Sequence, residues 1–168
     1  TPELYQLRQN ERAGRIPVAG RDVKLFQGAE RLLQRIRAGD FAEHNTHFAV
    51  ASRTKSVDWA HDLLDQFGVR DVLQYVEIFP GDKTAHFRKL HQASGIPYHE
   101  MLFFDDARDG KYGNCQLVAE ELGVLAVHCP RGLYMERIFD TALQRFTEWD
   151  GVAGTIVEWD GSVTQGVT

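Results

Sequence analysis

The sequence predicts an α/β fold built around a parallel sheet. Short apolar runs alternate with longer stretches in which apolar residues recur at helical spacing, and glycines follow several of these stretches, as at Gly39, Gly68 and Gly123. The chain has 168 residues, of which 43% are hydrophobic and 26% are charged. That length and that balance are typical of one globular domain, so we expect a single core.

Five helices and four strands are expected in alternation. The first helix carries the i, i+3, i+4, i+7 stripe of an amphipathic helix at Ala29, Leu32, Leu33 and Ile36. The strands are short, continuous apolar runs, as in parallel strands that are covered on both faces. The predicted helices cover residues 28–37, 57–67, 85–93, 114–122 and 134–146, and the predicted strands cover residues 48–51, 76–79, 101–104 and 125–128.

The two ends of the chain are expected to lie outside this alternation. Residues 1–22 are polar and irregular, with Pro2, Gly14, Pro17 and Gly20, so they are predicted to form a loop or flap of the core domain, residues 1–147. Residues 148–168 are rich in glycine and repeat Glu-Trp-Asp-Gly at 148–151 and 158–161. Two copies favour a tail or a hairpin over a functional repeat.

Composition excludes several kinds of partner. The formal net charge of −5 argues against a protein that binds the phosphate backbone of nucleic acids through a broad basic field. The longest apolar stretches are far shorter than the ~20 residues of a membrane helix. Cys115 and Cys129 lack the paired spacing of a zinc site and are expected to be small buried thiols. We expect a cytoplasmic protein, and no pattern in the sequence indicates an oligomeric state.

Polar and charged residues follow three successive predicted strands. Ser52 and Arg53 come after the first, Lys83 after the second, and Asp105 and Asp106 after the third. The carboxyl ends of parallel strands meet at one edge of the sheet, where ligands bind. A hydroxyl with backbone amides can hold a phosphate oxygen, and a lysine can neutralise a phosphoryl group. Two adjacent carboxylates repel each other, which favours a bound cation, and Mg²⁺ prefers one or two carboxylates as ligands. The three groups together therefore predict a phosphate and magnesium site.

Each of these groups also has a simpler interpretation. Ser52 or Thr54 can cap the following helix, Lys83 can be a solvated side chain, and the aspartates can be a cap plus a solvated acid. Asn114 can likewise cap the next helix or orient one of the acids. The order of hydroxyl, lysine and acid pair at three successive strand ends is more specific than any single group.

The sequence resembles the haloacid-dehalogenase (HAD) superfamily and, within it, the magnesium-dependent phosphatase-1 family. The resemblance covers about residues 24–133 and rests on Val-Ala-Ser-Arg-Thr at 50–54, Ile-Phe-Pro-Gly-Asp-Lys-Thr-Ala-His-Phe at 78–87 and Met-Leu-Phe-Phe-Asp-Asp at 101–106. It implies a Rossmann-like three-layer fold, a Mg²⁺ cofactor and hydrolysis of phosphate monoesters through an aspartyl-phosphate intermediate. The implied substrates are small phosphotyrosine-like or sugar-phosphate esters.

The same resemblance assigns roles to individual residues. Ser52 would hydrogen-bond the transferring phosphoryl group, with Arg53 beside it as a further phosphate ligand. Lys83 would stabilise negative charge on the phosphate and the nucleophile, so Ser52 and Lys83 are the catalytic candidates. Asp105 would bind the metal directly, and Asp106 either directly or through water. Elements of substrate specificity are expected in residues 1–22 and 107–113.

The first motif of the family, an apolar strand followed by Asp-x-Asp-x-Thr, is missing. Its first aspartate is the family's nucleophile and its second the general acid/base. We expect the printed chain to begin downstream of its own nucleophile, to lack the first strand of its sheet and to be inactive alone. A second run of the sequence resembles this motif, but Glu158 stands in it where the nucleophilic aspartate belongs. Cys129 begins a run that resembles the phosphate-binding loop of cysteine phosphatases, but Met135 occupies the position of that loop's arginine.

Two alternative functions remain open. One is a phosphate-binding or partner-binding protein that keeps the fold without the chemistry. The other is phosphoryl transfer between substrates, which uses the same core residues as hydrolysis.

Overall fold

The fold is taken from a computed structural model, which describes residues 14–166. All five predicted helices and all four predicted strands are present, with ends that differ from prediction by no more than two residues. Two further strands follow the last helix. The helices are α1 (Gln27–Arg37), α2 (Val57–Gln66), α3 (Lys83–Ser94), α4 (Asn114–Leu122) and α5 (Glu136–Glu148); the strands are β1 (Ala49–Ser52), β2 (Tyr75–Ile78), β3 (Leu102–Asp105), β4 (Leu125–His128), β5 (Ile156–Glu158) and β6 (Val163–Thr164).

The strands form two groups. β1 pairs in parallel with β2, whereas β3, β4 and β5 form a parallel set to which β6 adds in antiparallel orientation. Within residues 14–166, β1 pairs only with β2, and β3 only with β4, so β1 and β3 each keep one open edge. Helix α3 contacts β1, β2 and α4 and thereby connects the two groups.

The core has three layers around β4. Leu125, Ala126 and Val127 are at most 1% exposed, which shows that both faces of this strand are covered. Ala126 packs with α3 and α4 on one face, whereas Leu125 and Val127 pack with α5 on the other. This arrangement explains why the strand reads as a continuous apolar run rather than an alternating one. The predicted α/β class with a parallel sheet is confirmed.

The C-terminal segment contributes to the sheet. β5 pairs in parallel with β4 and in antiparallel orientation with β6, so a hairpin forms between residues 156 and 164. Ile156 and Val157 are buried, and they pack into the core on opposite faces. The first Glu-Trp-Asp-Gly copy ends α5, whereas the second forms the turn between β5 and β6. The two copies therefore have different structural roles.

The predicted flap, residues 1–22, lies partly outside the described residues, which begin at residue 14. Its described part is fastened to α2, because Gln66 accepts a hydrogen bond from the Ala19 amide and donates one to the Pro17 carbonyl. The buried carboxylate of Asp22 accepts from the Val18 amide at 2.9 Å. No helix between residues 14 and 166 is long and apolar enough to cross a membrane.

Gly28 permits a close approach between α1 and the segment before α5. A Cβ atom at this position would lie 2.6 Å from the Leu133 carbonyl oxygen and 2.6 Å from the Met135 carbonyl carbon. Gly28→Ala is expected to lower the free energy of unfolding by about 1–3 kcal/mol, as overpacking does elsewhere. Urea denaturation measures the effect. Gln27→Ala, at an exposed neighbouring position, is the control, and an equal effect of both changes would contradict the packing argument.

Candidate active site

The candidate site lies at the carboxyl ends of β1, β2 and β3. Ser52 and Asp105 are the last residues of β1 and β3, and Lys83 is the first residue of α3, which follows β2. The parallel pairing of the strands directs these ends to the same side of each group. The structure thus brings the hydroxyl, the lysine and the first aspartate to one edge of the fold.

Lys83 is a buried cation with two partners. Its side chain is 5% exposed, its ammonium donates to the Ala51 carbonyl at 2.6 Å, and its Nζ lies 3.3 Å from Asp105 Oδ2. The ammonium also lies 5.4 Å from the centre of the Phe103 ring. A buried ammonium requires such partners, because burial without them is costly. Lys83 therefore spans from the end of β1 to the end of β3, and it is not the solvated side chain of the simpler interpretation.

Asp105 is held from several directions. Its Oδ1 accepts hydrogen bonds from Asn114 Nδ2 at 3.0 Å and from the Ala107 amide at 2.9 Å, whereas its Oδ2 faces Lys83. The side chain is 11% exposed. Any rotation of the carboxylate would break at least one of these contacts, so its orientation is fixed.

Asp106 differs from its neighbour in being exposed. In the described part of the chain its carboxylate makes no hydrogen bond and no ion pair. One fixed, nearly buried carboxylate beside one free carboxylate suits Mg²⁺, which needs only one or two carboxylates because waters and substrate phosphate complete its octahedron. No group of three or more histidine, cysteine or acidic side chains gathers as a metal cage in residues 14–166. Asp105 and Asp106 thus have the chemistry that a magnesium ion needs, and their role as its ligands stays a prediction.

Asn114 and Arg53 connect the site's loops. Asn114 donates to Asp105, as above, and its Oδ1 accepts from Arg53 Nη1 at 2.7 Å. Arg53 Nε donates to the Gly81 carbonyl at 2.6 Å, in the loop before Lys83. Asn114 therefore orients one of the acids, which was one of its two predicted roles, and its side chain makes no capping hydrogen bond. Phosphate binding by Arg53 stays a prediction.

His86 is a site residue that the sequence analysis did not single out. It is fully buried, its Nε2 lies 2.8 Å from the Ser52 carbonyl and 2.9 Å from the Phe79 carbonyl, and its Nδ1 lies 2.9 Å from the Asp82 carbonyl. Its ring stacks on Phe79 at 3.9 Å. The sequence feature that could have identified His86 is its position three residues after Lys83, on the same face of a helix. His86 fixes the ends of β1 and β2 relative to α3.

Replacing His86 tests this structural role. His86→Leu leaves two strand-end carbonyls without the imidazole donor, so we expect the free energy of unfolding to fall by about 1–3 kcal/mol. His99→Leu is the matched control because His99 is exposed, and its effect should stay within about 0.5 kcal/mol. Denaturant unfolding of both variants measures the difference, and a stable His86→Leu variant would refute the role.

The two residues that resembled other nucleophiles are unavailable. Glu158 accepts from Arg108 on one oxygen, and its other oxygen lies 2.7 Å from His128 Nδ1. Cys129 is buried, and desolvation raises the pKa of its thiol to about 12. Burial likewise raises the pKa of Cys115 far above its ordinary range. The expected buried thiols are confirmed.

The loop 107–113 presents an exposed aromatic ring beside the site. Residues Gly110–Tyr112 form one turn of 3₁₀ helix, and the Tyr112 side chain is exposed. The Arg53 guanidinium lies 5.9 Å and the Lys111 ammonium 5.3 Å from the centre of this ring. A role of this loop in specificity remains a prediction.

The fold and the placement of these residues define an α/β protein with a HAD-like, Rossmann-type fold. The chain belongs to the Acid Phosphatase family, whose model matches residues 6–149. It is 32% identical over 119 residues to human magnesium-dependent phosphatase 1, an alignment covering 71% of this chain and 62% of that protein. It is also 31% identical over 96 residues to a HAD-like hydrolase superfamily protein of Schizosaccharomyces pombe, covering 52% of this chain and 53% of that protein. The chain thus spans between half and two thirds of these relatives, and the predicted family resemblance is confirmed.

Proposed function

We propose that the protein is the core of a Mg²⁺-dependent phosphatase that hydrolyses phosphate monoesters. The observation that carries the proposal is the buried Lys83 ammonium, 3.3 Å from Asp105 and on the same edge as Ser52. A fixed cation in a water-poor site stabilises the charge of a transferring phosphoryl group far better than a solvated one. The family membership and the name of the human relative support the same reaction and the same metal.

Each residue then has a defined role. Asp105 and Asp106 would hold the magnesium ion, which supplies charge stabilisation for the phosphoryl oxygens when bound. The Ser52 hydroxyl and the amides that follow β1 would donate to a phosphoryl oxygen. Lys83 would neutralise charge on the phosphoryl group, and Arg53 would contribute from the rim. Asn114 acts through Asp105 as a positioning residue.

The attacking group is proposed to come from a segment upstream of the printed chain. In residues 14–166, the carboxylates of Asp105 and Glu158 already have partners, and β1 and β3 each keep an open edge. A parallel strand between β1 and β3 would end between Ser52 and Asp105, which is where a nucleophilic aspartate is needed. Its carboxylate would attack phosphorus and break the bond to the ester oxygen, which would leave as an alcohol by taking a proton from the second aspartate of the family's Asp-x-Asp-x-Thr motif. That aspartate would then take a proton from water as the water cleaves the aspartyl phosphate, which yields inorganic phosphate and restores the nucleophile.

The proposed substrates are phosphate esters of phenols or sugars. The exposed Tyr112 ring, with a guanidinium and an ammonium near it, offers a surface on which a ring-shaped leaving group can stack. The competing function is a phosphate-binding protein without catalysis. It is supported by the absence of the family's Asp-x-Asp-x-Thr motif from the sequence.

The test compares the printed chain with the product of the complete coding sequence. Both are assayed for hydrolysis of p-nitrophenyl phosphate with Mg²⁺ and after removal of the metal by EDTA. We expect turnover only by the complete product and only with the metal. Turnover by the printed chain at a similar rate would refute the upstream nucleophile. A complete product that binds phosphate without hydrolysing it would favour the non-catalytic function.

A further inference from the structure

A chain of contacts joins the loop after the acid pair to the last two strands. Arg108 donates through Nε to Glu158 Oε1, through Nη1 to Asp109 Oδ2 at 2.7 Å and through Nη2 to Thr164 Oγ1 at 2.8 Å. The second oxygen of Glu158 lies 2.7 Å from His128 Nδ1. The guanidinium is therefore bound on all three of its nitrogens, and Glu158 is its least exposed partner.

His128 and Glu158 lie in register with Asp105, the first residue of the acid pair, across the sheet. Asp105, His128 and Glu158 are paired residues at the ends of the neighbouring strands β3, β4 and β5. The side chains of Arg108, His128 and Glu158 are 29%, 17% and 18% exposed, so their contacts are partly shielded from water. Contacts of this kind are stronger than ion pairs in full solvent.

The backbone of the loop is fixed separately. The amides of Cys115 and Gln116, in the first turn of α4, donate to the carbonyls of Ala107 and Arg108 at 3.0 and 2.9 Å. Because the backbone is held there, the direction of the Arg108 guanidinium depends on the acceptors of its side chain. Among those acceptors, Glu158 is a partly buried carboxylate, whereas Asp109 and Thr164 are more exposed.

We propose that Glu158 is a positioning residue that holds Arg108 away from Asp105 and Asp106 and so keeps the acid pair available to a divalent cation. Arg108 follows Asp106 by two residues, and a guanidinium pairs strongly with carboxylates. Released from Glu158, it can turn to the free carboxylate of Asp106 and compete with the metal. The inference rests on the proposed metal site and adds a residue from β5 to its support.

Cation affinity tests the inference directly, without any assay of turnover. Mn²⁺ is titrated into the protein by electron paramagnetic resonance, and Mg²⁺ is measured by competition, for the wild type, Glu158→Gln, Arg108→Ala/Glu158→Gln and Asp109→Asn. We expect Glu158→Gln to weaken Mn²⁺ binding by about tenfold or more, as loss of outer contacts does in other metal sites. The double variant should regain the wild-type affinity, because it has no guanidinium to compete.

Asp109→Asn is the matched control. It removes the same charge from another Arg108 partner, closer in sequence to the acid pair, but leaves Glu158 in place, so its affinity should stay near the wild-type value. Equal affinities of Glu158→Gln and wild type would overturn the inference, as would a double variant as weak as Glu158→Gln. If Glu158→Gln does not fold, Glu158→Asp, whose shorter carboxylate cannot hold the Arg108 guanidinium in the same place, should weaken Mn²⁺ binding in the same direction, and an unchanged affinity overturns the proposal. A wild-type protein that binds no Mn²⁺ refutes the metal site itself, and the inference with it.

Discussion

Lys83→Met is expected to remove most of the activity of the complete protein and to destabilise its fold. Methionine retains apolar contact near Phe103 but supplies no charge, so the transferring phosphoryl group loses a fixed cation. Loss of one such stabilising group costs about 10²–10³ in kcat. The Asp105 carboxylate, 11% exposed, also loses its ion-pair partner, which costs about 3–5 kcal/mol when a buried pair is broken on one side.

Lys89→Met is the control for this change. Lys89 belongs to the same helix, but its side chain is 59% exposed and its Nζ lies 3.9 Å from Glu77. A surface pair of this kind contributes about 0–1 kcal/mol, so stability and kcat should both stay near the wild-type values. Aryl phosphate hydrolysis and urea unfolding measure the two effects. Lys83→Met activity equal to that of Lys89→Met would exclude Lys83 from the chemistry.

The double variant Lys83→Met/Asp105→Asn separates the two causes. Without the lysine, the neutral amide is easier to bury than the carboxylate, so the double variant should unfold at higher urea than Lys83→Met alone. It should nevertheless remain inactive, because both the cation and a metal ligand are gone. A double variant less stable than either single one would contradict the ion-pair argument.

The sequence predicted the site's position because the fold itself concentrates strand ends at one edge. Short apolar runs indicated the strands, and the segments that follow these runs were expected at that edge, so Ser52, Lys83 and Asp105 were expected to lie together there. The same logic did not reach His86 or the Arg53 to Asn114 contact. Those depend on side-chain rotamers and on which carbonyls lie nearby, and a linear pattern contains neither.

The last strands were harder to predict for a different reason. β5 and β6 contain only three and two residues, so neither provides enough apolar positions for a clear strand pattern. Their turn contains Asp160 and Gly161, which also suit an irregular tail. Only the pairing with β4 shows that Glu158 lies in line with Asp105, and this register determines its contact with Arg108.

The two aspartates are expected to respond differently to the same substitution. Asp106→Asn removes an exposed carboxylate that has no partner in residues 14–166, so the free energy of unfolding should change by less than about 0.5 kcal/mol. Asp105→Asn leaves the buried Lys83 ammonium without its counter-charge, so it should lower stability by about 3 kcal/mol or more. Both should weaken Mg²⁺ binding and lower kcat in the complete protein, because each removes a charged oxygen ligand.

This contrast distinguishes a metal site from a purely structural ion pair. If neither aspartate bound the metal and Asp105 served only to neutralise Lys83, Asp106→Asn would leave the response to Mg²⁺ unchanged, and Asp105→Asn would act through stability alone. If both carboxylates bind the metal, Asp106→Asn should require more Mg²⁺ for half-maximal activity while unfolding at the wild-type urea concentration. Mg²⁺ titrations of activity, paired with urea unfolding of the same preparations, give the two readouts. An Asp106→Asn variant with wild-type Mg²⁺ dependence would exclude Asp106 as a ligand of the metal.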